Sequence, residues 1–105
     1  MPDFMKILQQ AQEMQGKMQQ IQADLEKLTV TGSAGGGMVT VEANGSGHVR
    51  RVSIDPSVVN PADVEMLEDL VVVAVSEAQK KAQAVAQEQM GALTGGLHLP
   101  FKLPV

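Results

Sequence analysis

FMKILQQAQEMQGKMQQIQADLEKL, residues 4–28, places an apolar side chain at alternating steps of three and four residues. This seam consists of Phe4, Ile7, Ala11, Met14, Met18, Ile21, Leu25 and Leu28. Its heptad spacing is typical of a helix that packs against another helix, and it predicts a helix over residues 1–28. About 26 residues at 1.5 Å each give roughly 39 Å, which exceeds the width of a compact domain of this size. We therefore expect this helix to project beyond its own core.

The composition excludes several classes of function. The chain has 105 residues, a net charge of −4, and no Cys, Trp or Tyr. This length predicts a single domain, residues 1–105. The lack of cysteine excludes disulfides and thiolate metal sites, and it fits a cytoplasmic protein. No secretory leader is visible, and the longest apolar run, Leu70 to Val75, is too short to cross a membrane. The acidic balance means that any contact with a polyanion has to come from local clusters of basic residues.

Residues 29–55 carry the pattern of a three-stranded antiparallel sheet. A first strand follows the helix and runs into the glycine cluster from Gly32 to Gly37, which predicts a tight turn. Met38 to Ala43 alternates, so that Val39, Val41 and Ala43 share one face. Asn44-Gly45-Ser46-Gly47 is a hairpin signal, and His48 to Ile54 is the return strand.

A hairpin that turns at Gly45-Ser46 predicts the pairing of the second and third strands. It places Val39 opposite Val52 and Val41 opposite Arg50. One face of the sheet is then apolar and needs a cover.

A second helix is predicted over residues 61–92, with Asn60 as its N-cap and Pro61 at its first helical position. Its apolar stripe is wide at first and narrows toward Met90, so the first half belongs to the core. Gly95-Gly96 ends the helix more firmly than Gly91 does, and residues 95–105 form an extended tail. Because strands of about six residues span only about 20 Å, both helices overhang the sheet. We expect their free ends to lie side by side as an arm.

The sequence contains no convincing catalytic or metal-binding pattern. The glycine cluster lacks the Gly-Lys-Ser/Thr ending of a phosphate loop. His48 and His98 stand alone, and Ser33 and Ser46 are explained by turn chemistry. We therefore expect no catalytic residue, no metal, no cofactor, no small-molecule substrate and no enzyme activity.

Basic residues are the remaining candidates for a function. They are Lys6 and Lys17 on the first helix, Lys80 and Lys81 on the second, and Arg50 and Arg51 on the third strand. Each one, taken alone, is better explained as a solvated or paired surface residue than as a functional one. Glu13, Glu42 and Glu77 are available to pair with Lys17, Arg51 and Lys81. A symmetric dimer, however, would present two overhanging arms that straddle a duplex and contact phosphates.

Several motifs together carry a resemblance to a known family. They are VTGSAGGGMVTV at residues 30–41, Asn44-Gly45, VSIDP at residues 52–56, MLEDL at residues 66–70 and Leu99-Pro100, beside a first helix rich in Met and Gln. In this respect the whole chain resembles the YbaB/EbfC family of small bacterial nucleoid-associated proteins. The resemblance implies an α+β fold (α-β-β-β-α), a homodimer with protruding helical arms, and binding to double-stranded DNA with relaxed sequence preference. It also implies a nucleoid location and an effect on DNA conformation and gene expression.

Two functions therefore remain open on the sequence alone. The first is a dimeric DNA-binding protein in which Lys6, Lys17, Lys80 and Lys81 contact phosphates, with Arg50 and Arg51 as weaker candidates. The second is a protein-interaction module whose Met- and Gln-rich arms clasp a protein partner, because methionine-rich surfaces adapt readily to different partners.

Overall fold

The computed structural model describes residues 2–95, and from Gly96 onward the predicted tail lies outside the described residues. The helices are α1 (Pro2–Lys27) and α2 (Val64–Gly95), and the strands are β1 (Thr29–Ala34), β2 (Val39–Asn44) and β3 (Val49–Ile54). A 3-10 turn, Pro56–Val58, lies in the connection between β3 and α2. The predicted α-β-β-β-α order is confirmed, and the sheet is an antiparallel meander in the order β1-β2-β3.

The core lies between α2 and the first two strands. Val39, Val41 and Ala43 are fully buried on one face of β2, as their alternation predicted. Ala74 and Ala78 of α2 are fully buried against them. Small alanines on the helix let it approach the sheet closely, so the valines of β2 fill the space between the two layers.

Gly32 sets the distance between β1 and α2. A Cβ atom at this position would lie 2.2 Å from the carbonyl oxygen of Ala74 and 2.4 Å from the amide nitrogen of Ala78. Both neighbours are backbone atoms of α2, which cannot move aside as a flexible side chain would. The helix backbone therefore rests directly on the strand at this point.

The other glycines of the cluster form the turn between β1 and β2. Gly35, Gly36 and Gly37 have φ values of 64°, 67° and 92°, in the left-handed region that favours glycine. The predicted tight turn is confirmed.

The predicted pairing of β2 with β3 is wrong by two residues. Val39 lies opposite Ile54 and Val41 lies opposite Val52, with an irregularity between Glu42 and Ala43. One residue of the shift comes from the turn, where the buried Asn44 side chain accepts hydrogen bonds from the amides of Ser46 and His48, each 3.0 Å long, and holds a loop of three residues instead of two. The other comes from the irregularity, since Arg50 lies between Val49 and Arg51 without a residue opposite it.

The start of α2 also differs from the prediction. The Asn60 side chain accepts from the amide of Ala62 at 3.0 Å and so stabilises a separate turn. Asp63 accepts from the amide of Met66 at 3.3 Å and is the N-cap of α2, which begins at Val64. At the other end the helix continues through Gly91 to Gly95, three residues beyond the predicted 92.

A joint of backbone and side-chain contacts holds the C-terminal end of α1 to the rest of the molecule. The amide of Gly45 donates to the carbonyl oxygen of Leu25 at 2.7 Å, and Leu25 is buried. Leu25 and Ala82 of α2 line one hollow beside this hairpin turn, so α1 and α2 are in contact there.

Away from this joint the seam of α1 loses its cover. Phe4 is 63% exposed and Ile7 is 61% exposed, whereas Met14 and Ile21 are half-buried. The described chain is accordingly elongated, with extents of 72 × 25 × 16 Å. Within the described part of one chain, α2 therefore does not cover the start of the seam, and the side-by-side arm forms only near the sheet. Neither described helix has an apolar stretch long enough to span a bilayer.

We expect Gly32→Ala to destabilise the fold, because the added methyl group has to push the backbone of α2 away from β1. Overpacking of this kind costs about 1–3 kcal/mol, and the measurement is the free energy of unfolding in urea.

Gly16→Ala is the matched control for this substitution. Gly16 lies in the middle of α1 with nothing within 4 Å of a built Cβ. Alanine should stabilise the helix there by about 0.5–1 kcal/mol, since it restricts the unfolded chain. Equal effects of the two substitutions would show that Gly32 does not set the packing distance.

Candidate nucleic-acid interface

The structure divides the six candidate basic residues into engaged and free ones. Lys81 donates a 2.8 Å hydrogen bond to the carbonyl oxygen of Thr31, 50 residues earlier, and forms a 3.2 Å salt bridge with Glu77. Arg50 donates to the carbonyl oxygen of Glu26, in the last turn of α1. These two side chains already have structural partners.

Both engaged cations stabilise ends or edges of secondary structure. Arg50 satisfies one of the carbonyl groups that a helix leaves unpaired at its C-terminus, where positive charge is favourable. Lys81 occupies an outward carbonyl group of β1, which is an edge strand. Thr31 is thus prevented from pairing with another strand at this position.

Lys6 and Lys17 lie on the part of α1 that projects from the sheet, and both are exposed. Eleven residues separate them, which is close to three full turns, so they share one face of the helix about 16 Å apart. The Lys81–Glu77 pair is the one salt bridge found among the residues that the structure describes. The predicted alternative pairing of Lys17 with Glu13 is therefore not formed.

Lys80 and Arg51 are exposed as well. Arg51 lies directly opposite Glu42 in the observed register, but the expected ion pair between them is not formed in the described structure. Lys80 borders a shallow hollow on the outer side of α2 that is also lined by Val72, Val73 and Ser76. The structure thus places the free cations on α1, on α2 and on β3, and it does not gather all six at one site.

An uncharged surface on α1 was missed by the sequence reasoning. Met5, Leu8, Gln9 and Gln12 line a shallow hollow near the start of the helix, on the side away from the seam. The available signal was the presence of two apolar residues, Met5 and Leu8, outside the heptad positions. The lysines of α1 flank this surface on one side.

The described residues contain no cluster of three or more His, Cys, Asp or Glu able to hold a metal ion. Hydrogen bonds from the backbone and side chain of Ser57 lower the pKa of Asp55, whose role is to cap the 3-10 turn. The predicted isolation of His98 lies outside the described residues.

The fold and its free cations define a recognisable class: a small sheet that carries long helices, one of which projects with exposed lysines. The model of the YbaB/EbfC DNA-binding family matches residues 1–97. The chain belongs to this family.

Relatives and a solved structure agree with this assignment. The chain is 51% identical over 102 residues to a nucleoid-associated protein of Gemmatimonas aurantiaca, covering 97% of this chain and 98% of the relative. It is 50% identical over 106 residues to one of Granulibacter bethesdensis, covering 99% of each. The crystal structure of the uncharacterized protein HP0035 from Helicobacter pylori has the same fold, with a TM-score of 0.79 at 22% identity over 87% of this chain and 96% of that one.

We expect Lys81→Ala to lower the free energy of unfolding by about 0.5–1 kcal/mol, since it removes a hydrogen bond and a salt bridge at an exposed site. Lys80→Ala is the control, because it removes the same charge from the neighbouring position. Thermal unfolding of both variants checks the difference, and equal stability would contradict a structural role for Lys81.

Proposed function

We propose that this protein is a non-catalytic, nucleoid-associated protein that binds double-stranded DNA as a homodimer, with little sequence preference and with no cofactor. Its arms hold the duplex through phosphate contacts and change the conformation of the DNA. This change in conformation affects gene expression. Its location is the nucleoid, in the cytoplasm.

The observation that carries the proposal is the projection of α1 with Lys6 and Lys17 free on one face. Phosphate contacts by lysine supply affinity without reading sequence, which fits a surface whose remaining polar side chains are mostly neutral glutamines. Lys80 and Arg51 are further contacts. Lys81 and Arg50 are not proposed as phosphate contacts, because their side chains already donate hydrogen bonds to backbone carbonyl groups.

The homodimer is supported by the exposed seam. Phe4 and Ile7 are heptad residues that no helix covers within the described residues 2–95 of their own chain. A second copy supplies further apolar surface and duplicates every lysine, and a two-fold axis places two arms on one assembly. The relatives from Gemmatimonas aurantiaca and Granulibacter bethesdensis carry the name nucleoid-associated protein, which supports the same use here.

Salt-dependent DNA binding tests the phosphate contacts. Each lysine changed to alanine in both copies removes two contacts, so Lys6→Ala or Lys17→Ala should reduce the slope of log affinity against log salt by about 1.8. Fluorescence anisotropy with a short duplex at several salt concentrations provides the slope.

Lys81→Ala is the charge-matched control in this titration, and its slope should stay at the unsubstituted value. A slope that falls equally for Lys81→Ala would contradict the division into free and engaged cations. Failure of the unsubstituted protein to bind at low salt would remove the DNA function itself.

A protein partner is the second candidate, favoured by the exposed Met5 and Leu8 beside Phe4 and Ile7. These four side chains form one continuous exposed apolar surface, and a surface of that kind is typical of a contact with a partner. Capture of a partner from nuclease-treated lysate separates the two functions, because a bridge made of nucleic acid does not survive the nuclease.

A further inference from the structure

Helix α1 is held to the rest of the molecule through its last turn. Among residues 3–27, whose burial the structure describes, only Leu25 is buried. One residue, Leu28, separates the end of α1 from the start of β1. Because most of the preceding helix is exposed, the direction in which α1 leaves the sheet depends on what this last turn contacts.

Two hydrogen bonds connect this last turn to the hairpin of β2 and β3. The amide of Gly45 donates to the carbonyl oxygen of Leu25 at 2.7 Å, and the Arg50 side chain donates to the carbonyl oxygen of Glu26. Carbonyl groups at the end of a helix lack an intrahelical partner and are therefore free to accept from elsewhere in the chain. The two donors lie in the loop and in β3, so the helix is held at two points, which restricts its rotation more than one bond would.

Arg50 contacts α1 from the irregular position of β3. Val49 lies opposite Ala43 and Arg51 lies opposite Glu42, so Arg50 is the extra residue of a bulge. Bulges redirect a side chain away from the regular alternation of a strand. Since no residue of β2 lies opposite it, the Arg50 side chain is available to the end of α1, where the helix dipole favours a positive charge.

The hairpin is fixed to α2 as well. The Gln79 side chain donates to the carbonyl oxygen of Gly47 at 3.2 Å. Toward α1 the loop is in close contact with the helix, since a Cβ atom on Gly45 would lie 2.8 Å from the carbonyl oxygen of Leu25. The loop is thus a firm support between the two helices, and the bond from Arg50 holds the end of α1 against it.

We propose that Arg50 is a positioning residue for DNA binding: its bond to the last turn of α1 fixes the direction of the helix and so the place where Lys6 and Lys17 meet phosphates. Arg50 itself does not contact DNA. Without this bond the number of phosphate contacts is unchanged, but the two lysines are spread over more positions, and this loss of preorganisation lowers the affinity. The inference rests on the proposed function and adds a residue that acts on its contacts through the helix.

Distances between spin labels test the positioning directly and without DNA. The chain has no cysteine, so labels attach only at introduced sites, Gln9→Cys on α1 and Ser53→Cys on β3, both exposed. An excess of unlabelled protein restricts the measurement to distances within one chain. Arg50→Gln should shift or broaden this distance by at least about 4 Å, which is the displacement that a rotation of about 10° produces about 24 Å along the helix from Leu25. Arg51→Gln, the charge-matched control, should leave the distance unchanged.

The salt titration with DNA separates positioning from contact. Arg50→Gln should lower the affinity about 10-fold at a fixed salt concentration, while the slope of log affinity against log salt stays at the unsubstituted value. Gly45→Ala should have the same effect without changing any charge, because its methyl group displaces the last turn of α1. Arg51→Gln, which removes a proposed phosphate contact from both copies, should instead reduce the slope by about 1.8.

Several outcomes would overturn the role of Arg50. A slope that falls by about 1.8 for Arg50→Gln would make this residue a phosphate contact. An unchanged distance between the labels, or a changed distance with unchanged affinity, would also contradict positioning. Arg50 is exposed, so circular dichroism should report an intact fold for the variant. Failure of the unsubstituted protein to bind DNA at low salt would remove the proposed function, and the label distances would still decide whether Arg50 directs α1.

Discussion

The contact between the backbones of α2 and β1 at Gly32 is the constraint on which the rest of the structure depends. It brings the helix so close to the sheet that alanines, Ala74 and Ala78, occupy the fully buried positions on its inner side. Close approach fixes the position of α2 over β1 and β2, and thereby leaves β3 open. It also brings Lys81 within reach of the Thr31 carbonyl group. The missing side chain of Gly32 thus permits the close packing of α2 on β1, beside which the Lys81 contact forms.

Local sequence patterns were sufficient to predict the order of helices and strands and the buried face of β2. The three-and-four spacing of α1 and the alternation of Val39, Val41 and Ala43 are periodic features, and periodicity is decided by the residues themselves. The cap of α2 was misplaced, because Asn60 and Asp63 are both good capping residues. Only the structure shows which of them binds a helix amide.

Features that depend on residues far apart in the chain could not be predicted from the sequence. The pairing of β2 with β3 depends on the loop that the Asn44 side chain holds and on the irregularity at Arg50. Among the cations, Lys81 and Arg50 bind backbone carbonyl groups, which carry no sequence signature. Charge alone therefore made all four lysines equal candidates for phosphate contacts. The division into engaged and free cations is visible only in the folded structure.

Helix α1 is attached to the rest of the molecule near its C-terminal end, so a rotation there moves its N-terminal end by a larger distance. Its contacts with the sheet are concentrated at Leu25, Glu26 and the hairpin at Gly45, while Phe4 lies 21 residues, or about 32 Å, further along. A rotation of about 10° at the joint moves the far end by roughly 5 Å over that length. In the proposed homodimer, a small rotation at the hairpin would therefore give a large change in the distance between the two copies of α1.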